Sequence, residues 1–330
     1  MAPVLTDWKC RMAKVSICIP AYKQIHYLEK ALNSVIQQRY QDYEVVITDD
    51  SPDDSVWKLL DNFDFEGRLR YERNQVRQGS PENWNHAISM AGGDYIKILH
   101  HDDWLVDEHS LEKFVELLER DPSACFAFSG SLVIDDITGQ ERSHVCSEQA
   151  LERLRVMPES LLRGNVVGAP SATIFRRAAC PGRFDPKLKW LVDIDFYIAC
   201  MKSSSHFAMT NECLVATPTN AGHQVTEICR NDAAVELFEY QYVFNKYATQ
   251  LENDPMTRIF LRNLFERFRI RTVDDLENFG VELILDPNFF NSLEIRYWPI
   301  AKIMNKLSRV HNTIVSAIPL LSRSRTYQSR

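Results

Sequence analysis

The stretch Leu99-His100-His101-Asp102-Asp103-Trp104 sets two imidazoles and two carboxylates at the end of an apolar run, Tyr95-Ile96-Lys97-Ile98. β-Branched and aromatic residues that give way to a polar quartet read as a short strand entering a turn. Carboxylates at a buried strand end are costly unless a metal ion, a phosphate or sugar hydroxyls meet them, so Asp102 and Asp103 are the first candidates for chemistry. Asp103 is equally suited to capping a helix expected over Leu105 to Arg120, with Asp107 and Glu108 in its first turn. Two histidines beside two aspartates also admit zinc, but zinc asks for four converging ligands and sequence neighbours rarely supply two. A second acidic pair, Asp49-Asp50, closes the apolar run Tyr43 to Ile47.

The elements that must carry these groups follow from periodicity. Val15 to Pro20, Tyr43 to Ile47, Arg68 to Tyr71 and Tyr95 to Leu99 read as strands, separated by helices over Tyr27 to Gln38, Asp53 to Asn62 and Asn83 to Ala91. Such alternation predicts an α/β fold with a parallel sheet flanked by helices. Ligands of these sheets sit beyond the carboxyl ends of the strands, and that edge gathers Pro20-Ala21-Tyr22, Asp49-Asp50 and Asp102-Asp103. Further strands are expected at Cys125 to Phe128, Ser131 to Ile134, Ala172 to Phe175 and Leu214 to Thr217. Helices are expected at Leu151 to Arg163, with a break at Pro158, and from Asp193 to Lys202. Beyond His223 the pattern is helical, most clearly over Ala234 to Tyr247 and Met256 to Arg269.

Composition narrows the class. The 330 residues are 45% hydrophobic and 25% charged, enough for a large core, and a net charge of -7 argues against nucleic-acid partners. Eight cysteines without a C-x-x-C pair fit a reducing, cytoplasmic setting. No signal-peptide pattern opens the chain and no run suits a membrane-spanning helix. The tail is basic in an acidic protein. Ile300, Ile303, Met304, Leu307, Val310, Ile314 and Ile318 form one apolar stripe, so residues 299–318 are expected to dock on the protein, on a second subunit in a homo-oligomer, or on an anionic membrane face.

Five segments in order, Val15 to Tyr22, Glu44 to Pro52, Asn74 to Gly79 with Asn83-Trp84-Asn85, Gly93 to Ile96, and Leu99 to Trp104, resemble glycosyltransferase family 2. The likeness extends through Gly182-Arg183-Phe184-Asp185, Asp193-Ile194-Asp195 and His223, covering roughly Lys14 to Thr226. It implies a GT-A fold, a Rossmann-like mixed, mostly parallel sheet, and an inverting, metal-dependent enzyme that uses a nucleotide-sugar donor. The implied division is a GT-A domain over 1–226, with a nucleotide-binding half at 14–104 and an acceptor-binding half at 105–226, then a helical extension over 227–330. By the same resemblance Pro20, Ala21, Tyr22, Asp49, Asp50 and Asn85 hold the donor nucleotide, and Asp102 binds Mn²⁺ or Mg²⁺ on its diphosphate with His223 completing the site. Asp193 matches the catalytic base. Residues two apart on a helix do not share a face, which leaves Asp195 a supporting carboxylate.

The sequence departs from the family where His100 and His101 precede the metal ligand. Successive strand residues face opposite ways, so His101 is expected near the ribose and His100 turned inward. The acceptor implied is a glycan, a lipid-linked sugar or a glycosylated protein. Two other enzyme classes compete. Nucleotidyltransferases need a Gly-rich basic loop after the first strand, where this chain has Pro20-Ala21-Tyr22-Lys23, and no G-x-G-x-x-G supports a dinucleotide site. A sugar-binding scaffold that has lost turnover is the non-enzyme alternative.

Overall fold

The computed structural model describes residues 13–204, 206–221, 229 and 231–295. Strand β1 (Val15–Ala21) is buried along its whole length and lies parallel to β2 (Tyr43–Asp49) on one side and β4 (Tyr95–Ile98) on the other, with β3 (Leu69–Arg73) beyond β2. Near-continuous apolar strands of this kind are expected where helices cover both faces. Those helices are α1 (Ile25–Ile36), α2 (Ser55–Leu60) and α3 (Glu82–Met90). Register decides what meets at the carboxyl edge. Ala21 pairs with Asp49 and Cys18 with Ile98, and Leu99 donates its N–H to Cys18, so the turn 100–103 leaves the sheet beside Tyr22 and Asp50.

The remaining strands make the sheet mixed, in the order β3-β2-β1-β4-β8-β6-β9-β5, with β7 on β6. Here β5 is Trp104–Leu105, β6 Phe126–Asp135, β7 Glu141–His144, β8 Thr173–Arg176 and β9 Phe207–Thr219. The two strands expected at 125–128 and 131–134 are one, its register against β9 broken around Gly130. The helix expected from Leu105 begins later, as α4 (Ser110–Arg120), because Trp104 and Leu105 pair with Ala216 and Val215 of β9. Asp103 is therefore no helix cap. Pro158 ends α5 (Glu148–Val156) as expected, and α6 (Val192–Ser203) carries Asp193 and Asp195 in its first turn.

Five helices close the described chain: α7 (Ala233–Lys246), α8 (Ala248–Leu251), α9 (Pro255–Arg267), α10 (Val273–Glu277) and α11 (Pro287–Ser292). Their Leu237, Phe244, Leu261 and Phe265 are buried in the same apolar cluster as Phe126, Phe175 and Tyr197. No helix among the described residues is long and apolar enough to cross a membrane. Residues 299–318 and His223 lie outside the described residues.

Candidate active site

At the edge formed by β1 and β2, Asp50 organises the loop that follows β3. Its Oδ1 accepts from Asn74 Nδ2 (2.7 Å) and Gln78 N (3.0 Å), and its Oδ2 from Gly79 N (2.7 Å). That loop carries Arg77, whose guanidinium stacks 4.2 Å over the half-buried ring of Tyr22. Asp49 differs. It has no exposed surface, and its oxygens accept from Ser51 N (2.7 Å) and Tyr71 Oη (2.9 Å), so it shapes the rim from within.

Pro20 and Ala21 are buried, and their carbonyls serve the same rim. Pro20 O lies 3.1 Å from His101 Nδ1, and Ala21 O accepts from Asp50 N and from Asn83 Nδ2. The amide of Asn85 both donates to Phe184 O (2.9 Å) and accepts from Phe184 N (2.7 Å), pinning the 182–185 loop. The neighbouring Asn83 was missed from the sequence, although it ties β1, β2 and Asn74 together. The N-x-N spacing offered no means of ranking the two.

The turn after β4 brings His100, Asp102 and Asp103 together, with one ligand atom of each within 4.8 Å of the others. Asp103 is 1% exposed, and no hydrogen bond of good geometry reaches either of its oxygens, though the Ser171 and Thr217 hydroxyls favour its charged form. Burial and the adjacent Asp102 charge push its carboxyl well up, while burial pulls the enclosed Lys97 ammonium down. Lys97 donates to the carbonyls of Ile98 and Ser171. The His100 ring packs at a tilt against Trp84 (4.5 Å between centroids, 43° between planes), and burial holds its pKa down at about 4, so the imidazole is neutral. Its Nε2 is buried without a hydrogen-bond partner. Unpaired buried oxygens beside a neutral imidazole lone pair fit a hard divalent cation, which would replace the missing hydration. His100, rather than His101, thus faces the aspartates.

Asp193 is half-buried in the first turn of α6, and burial pushes its carboxyl up to about 7. Asn165 Nδ2 donates to its Oδ2 (2.9 Å) and Ile194 N to its Oδ1 (2.9 Å). Glu239 of α7, also missed from the sequence, accepts from the N–H groups of Lys189, Trp190 and Leu191 and so holds the entry of that helix. Asp195 turns away, bonded to Lys246 Nζ (2.7 Å) and Tyr247 Oη (3.1 Å). The loop 165–171 links α6 to the turn after β4: Asn165 bonds Asp193 at one end, and at the other Ser171 Oγ accepts from His100 N (2.9 Å). Burial, and then the charge of Asp193, raise the pKa of Tyr197, whose hydroxyl donates to Gly168 O of the same loop (3.1 Å).

Comparison with known proteins bears on the family and the fold. The profile described as "Glycosyl transferase family 2" matches residues 16–181. The putative teichuronic acid biosynthesis glycosyltransferase TuaG of Bacillus subtilis is 28% identical over 220 residues, spanning 64% of this chain and 79% of the relative. Among solved structures, S. aureus TarS in complex with UDP-GlcNAc has a TM-score of 0.56 at 16% identity, over 84% of this chain and 79% of TarS. The mannosyltransferase PcManGT from Pyrobaculum calidifontis, in complex with GDP-Man and Mn²⁺, has a TM-score of 0.51 at 16% identity, over 94% of this chain and 84% of that one. At such identity the structures speak for the shared fold, and the matched profile, spanning half the sequence, for the lineage. With a GT-A-like mixed sheet and its acidic carboxyl edge, this chain belongs to glycosyl transferase family 2.

Proposed function

We propose that the enzyme moves a sugar from a nucleotide-sugar donor, with inversion at the anomeric carbon, onto a hydroxyl of a glycan or lipid-linked acceptor. Residues 14–104 would hold the donor, with Tyr22 against the base, Asp50 ordering the rim and His101 near the ribose, and residues 105–226 the acceptor. The observation that carries this reading is one carboxylate, Asp193, joined by a single loop to the oxygen-rich turn His100–Asp103. Asp193 takes the acceptor hydroxyl proton as that oxygen bonds to the anomeric carbon, and the bond from that carbon to the diphosphate oxygen breaks on the opposite face. A cation held by Asp102, with His100 and Asp103 beside it, would neutralise the departing diphosphate as a Lewis acid. An imidazole in the donor set favours Mn²⁺ over Mg²⁺. The TarS and PcManGT complexes, with UDP-GlcNAc and with GDP-Man and Mn²⁺, support the donor class, and the teichuronic acid role named for TuaG supports an envelope glycan as acceptor.

The test begins with thermal shifts in UDP, GDP and dTDP, each with and without Mn²⁺, because a ligand bound to the folded state raises its melting point. The nucleotide sugar of the responding base is then assayed for hydrolysis and transfer. Asp193→Asn is expected to abolish turnover while calorimetric affinity for the nucleotide stays within about twofold, and Asp102→Ala to remove the Mn²⁺-dependent part of that affinity. Full turnover by the Asp193 variant would take the base role from this residue. Nucleotide binding without any hydrolysis or transfer would leave a sugar-nucleotide-binding protein instead.

A further inference from the structure

Asn165 is saturated. Its Oδ1 accepts from the N–H groups of Val167 (3.0 Å) and Gly168 (2.9 Å), and its Nδ2 donates to Gly168 O (2.9 Å) and Asp193 Oδ2 (2.9 Å). All four hydrogen-bonding positions of the amide are used, and the two backbone donors fix which end is oxygen. The nitrogen therefore has one orientation available, and its second proton points at Asp193. Gly168, the far end of this small ring, sits at φ +105°, where a side chain is strained, and its carbonyl also accepts from Tyr197 Oη (3.1 Å). Four residues on, Ala172 N closes on Ala169 O (2.8 Å), and Ser171 grips both His100 N and the Lys97 ammonium.

We infer that Asn165 is a positioning residue for Asp193: it fixes the carboxylate's rotamer and, through the loop 165–171, its place relative to the turn His100–Asp103. This rests on the reading of Asp193 as the base. A carboxylate with both oxygens bonded, one to its own helix and one to a locked amide, keeps a single rotamer, and proximity effects reward such fixing. A hydrogen bond donated to the charged form also favours ionisation, which opposes the effect of burial on this group.

The experiment is a ¹³C NMR titration of the full chain labelled at aspartate carboxyls, with the Asp193 signal assigned by its loss in Asp193→Asn. Two variants are compared with the parent. Asn165→Asp retains an oxygen for the Val167 and Gly168 N–H groups while removing the donor to Asp193. Asn165→Ala removes everything. In Asn165→Ala the Asp193 titration is expected to move up by about one unit, which at pH 7 lowers the ionised fraction from about half to about one-tenth, and in Asn165→Asp by more, because the new carboxylate is a like charge beside it. Hydrolysis of UDP-glucose, GDP-mannose or whichever nucleotide sugar the parent enzyme turns over is expected to fall at least about fivefold at pH 7 and to recover only in part at higher pH, the remainder being the lost rotamer, with KM for the donor unchanged. An Asp193 titration within about 0.3 units of the parent in Asn165→Ala, with a rate that follows the parent's across pH, would overturn the inference. If the titration moves but Asp193→Asn retains turnover, the hydrogen-bond link stands and the base assignment falls.

Discussion

At the scale of single residues, the site separates groups already committed within the protein from groups left with unused capacity. Asp49 and Asn85 belong to the first kind, because every oxygen or amide they offer is bonded internally. Asp103 and His100 belong to the second, and leaving such atoms buried and unpaired costs on the order of 1–3 kcal/mol each. Asp193 lies between, with two bonds and a carboxyl raised from 3.8 to about 7 by burial. A base must be deprotonated to act, so the rate of sugar transfer is expected to rise with pH through about 7 and then level off, measured as initial rates across a buffer series. The stability sign is opposite. The folded pKa lies above the unfolded one, so the folded state holds the proton more tightly and Asp193 costs stability as pH rises from 3.8 towards 7. Urea midpoints of Asp193→Asn and the parent should therefore diverge over that interval, with the variant the more stable at the upper end.

At the scale of elements, short turns decide where the strands deliver their residues. Gly92 and Gly93, before β4, are locked onto β1 and β2: Gly93 N donates to Ser16 Oγ (2.8 Å), Gly92 N to Glu44 Oε1 (2.6 Å), and Ser16 Oγ to Glu44 Oε1 (2.6 Å). A Cβ on Gly93 would stand 2.7 Å from Ser16 N, which is backbone in the central strand and has no freedom to retreat. Gly93→Ala is therefore expected to destabilise the protein by about 1–3 kcal/mol, and to weaken nucleotide binding by displacing the turn that follows β4. Chemical denaturation checks the first effect and calorimetry the second. An unchanged midpoint would mean that β1 and β4 can separate without cost.

At the scale of the whole molecule, the C-terminal helices are part of the site's foundation. Glu239 of α7 holds the entry of α6, and Lys246 bridges Asp195 on that helix to Asp185 in the loop pinned by Asn85. Lys246→Met keeps most of the packing but leaves Asp195, 5% exposed, without its cation. The expected cost is about 1–3 kcal/mol in urea denaturation, accompanied by a fall in turnover larger than any change in nucleotide affinity, because α6 carries Asp193, the base proposed above. Equal falls in both would mean that the extension supports the whole sheet rather than α6.

The sequence by itself determined the α/β alternation, the family and the acidic residues at the strand ends, because apolar periodicity and local turn chemistry are short-range properties written in consecutive positions. It also separated Asp193 from Asp195, since helical geometry alone sends them to different faces. Only the tertiary structure decided that Asp103 is buried instead of capping a helix, that Asn85 clamps the Phe184 backbone, that His100 turns towards the aspartates, and that Asn165 and Glu239 serve Asp193 and its helix. Each of these depends on which partner arrives from tens of residues away, and pairing across such distances is settled by packing, where propensity and spacing carry no information.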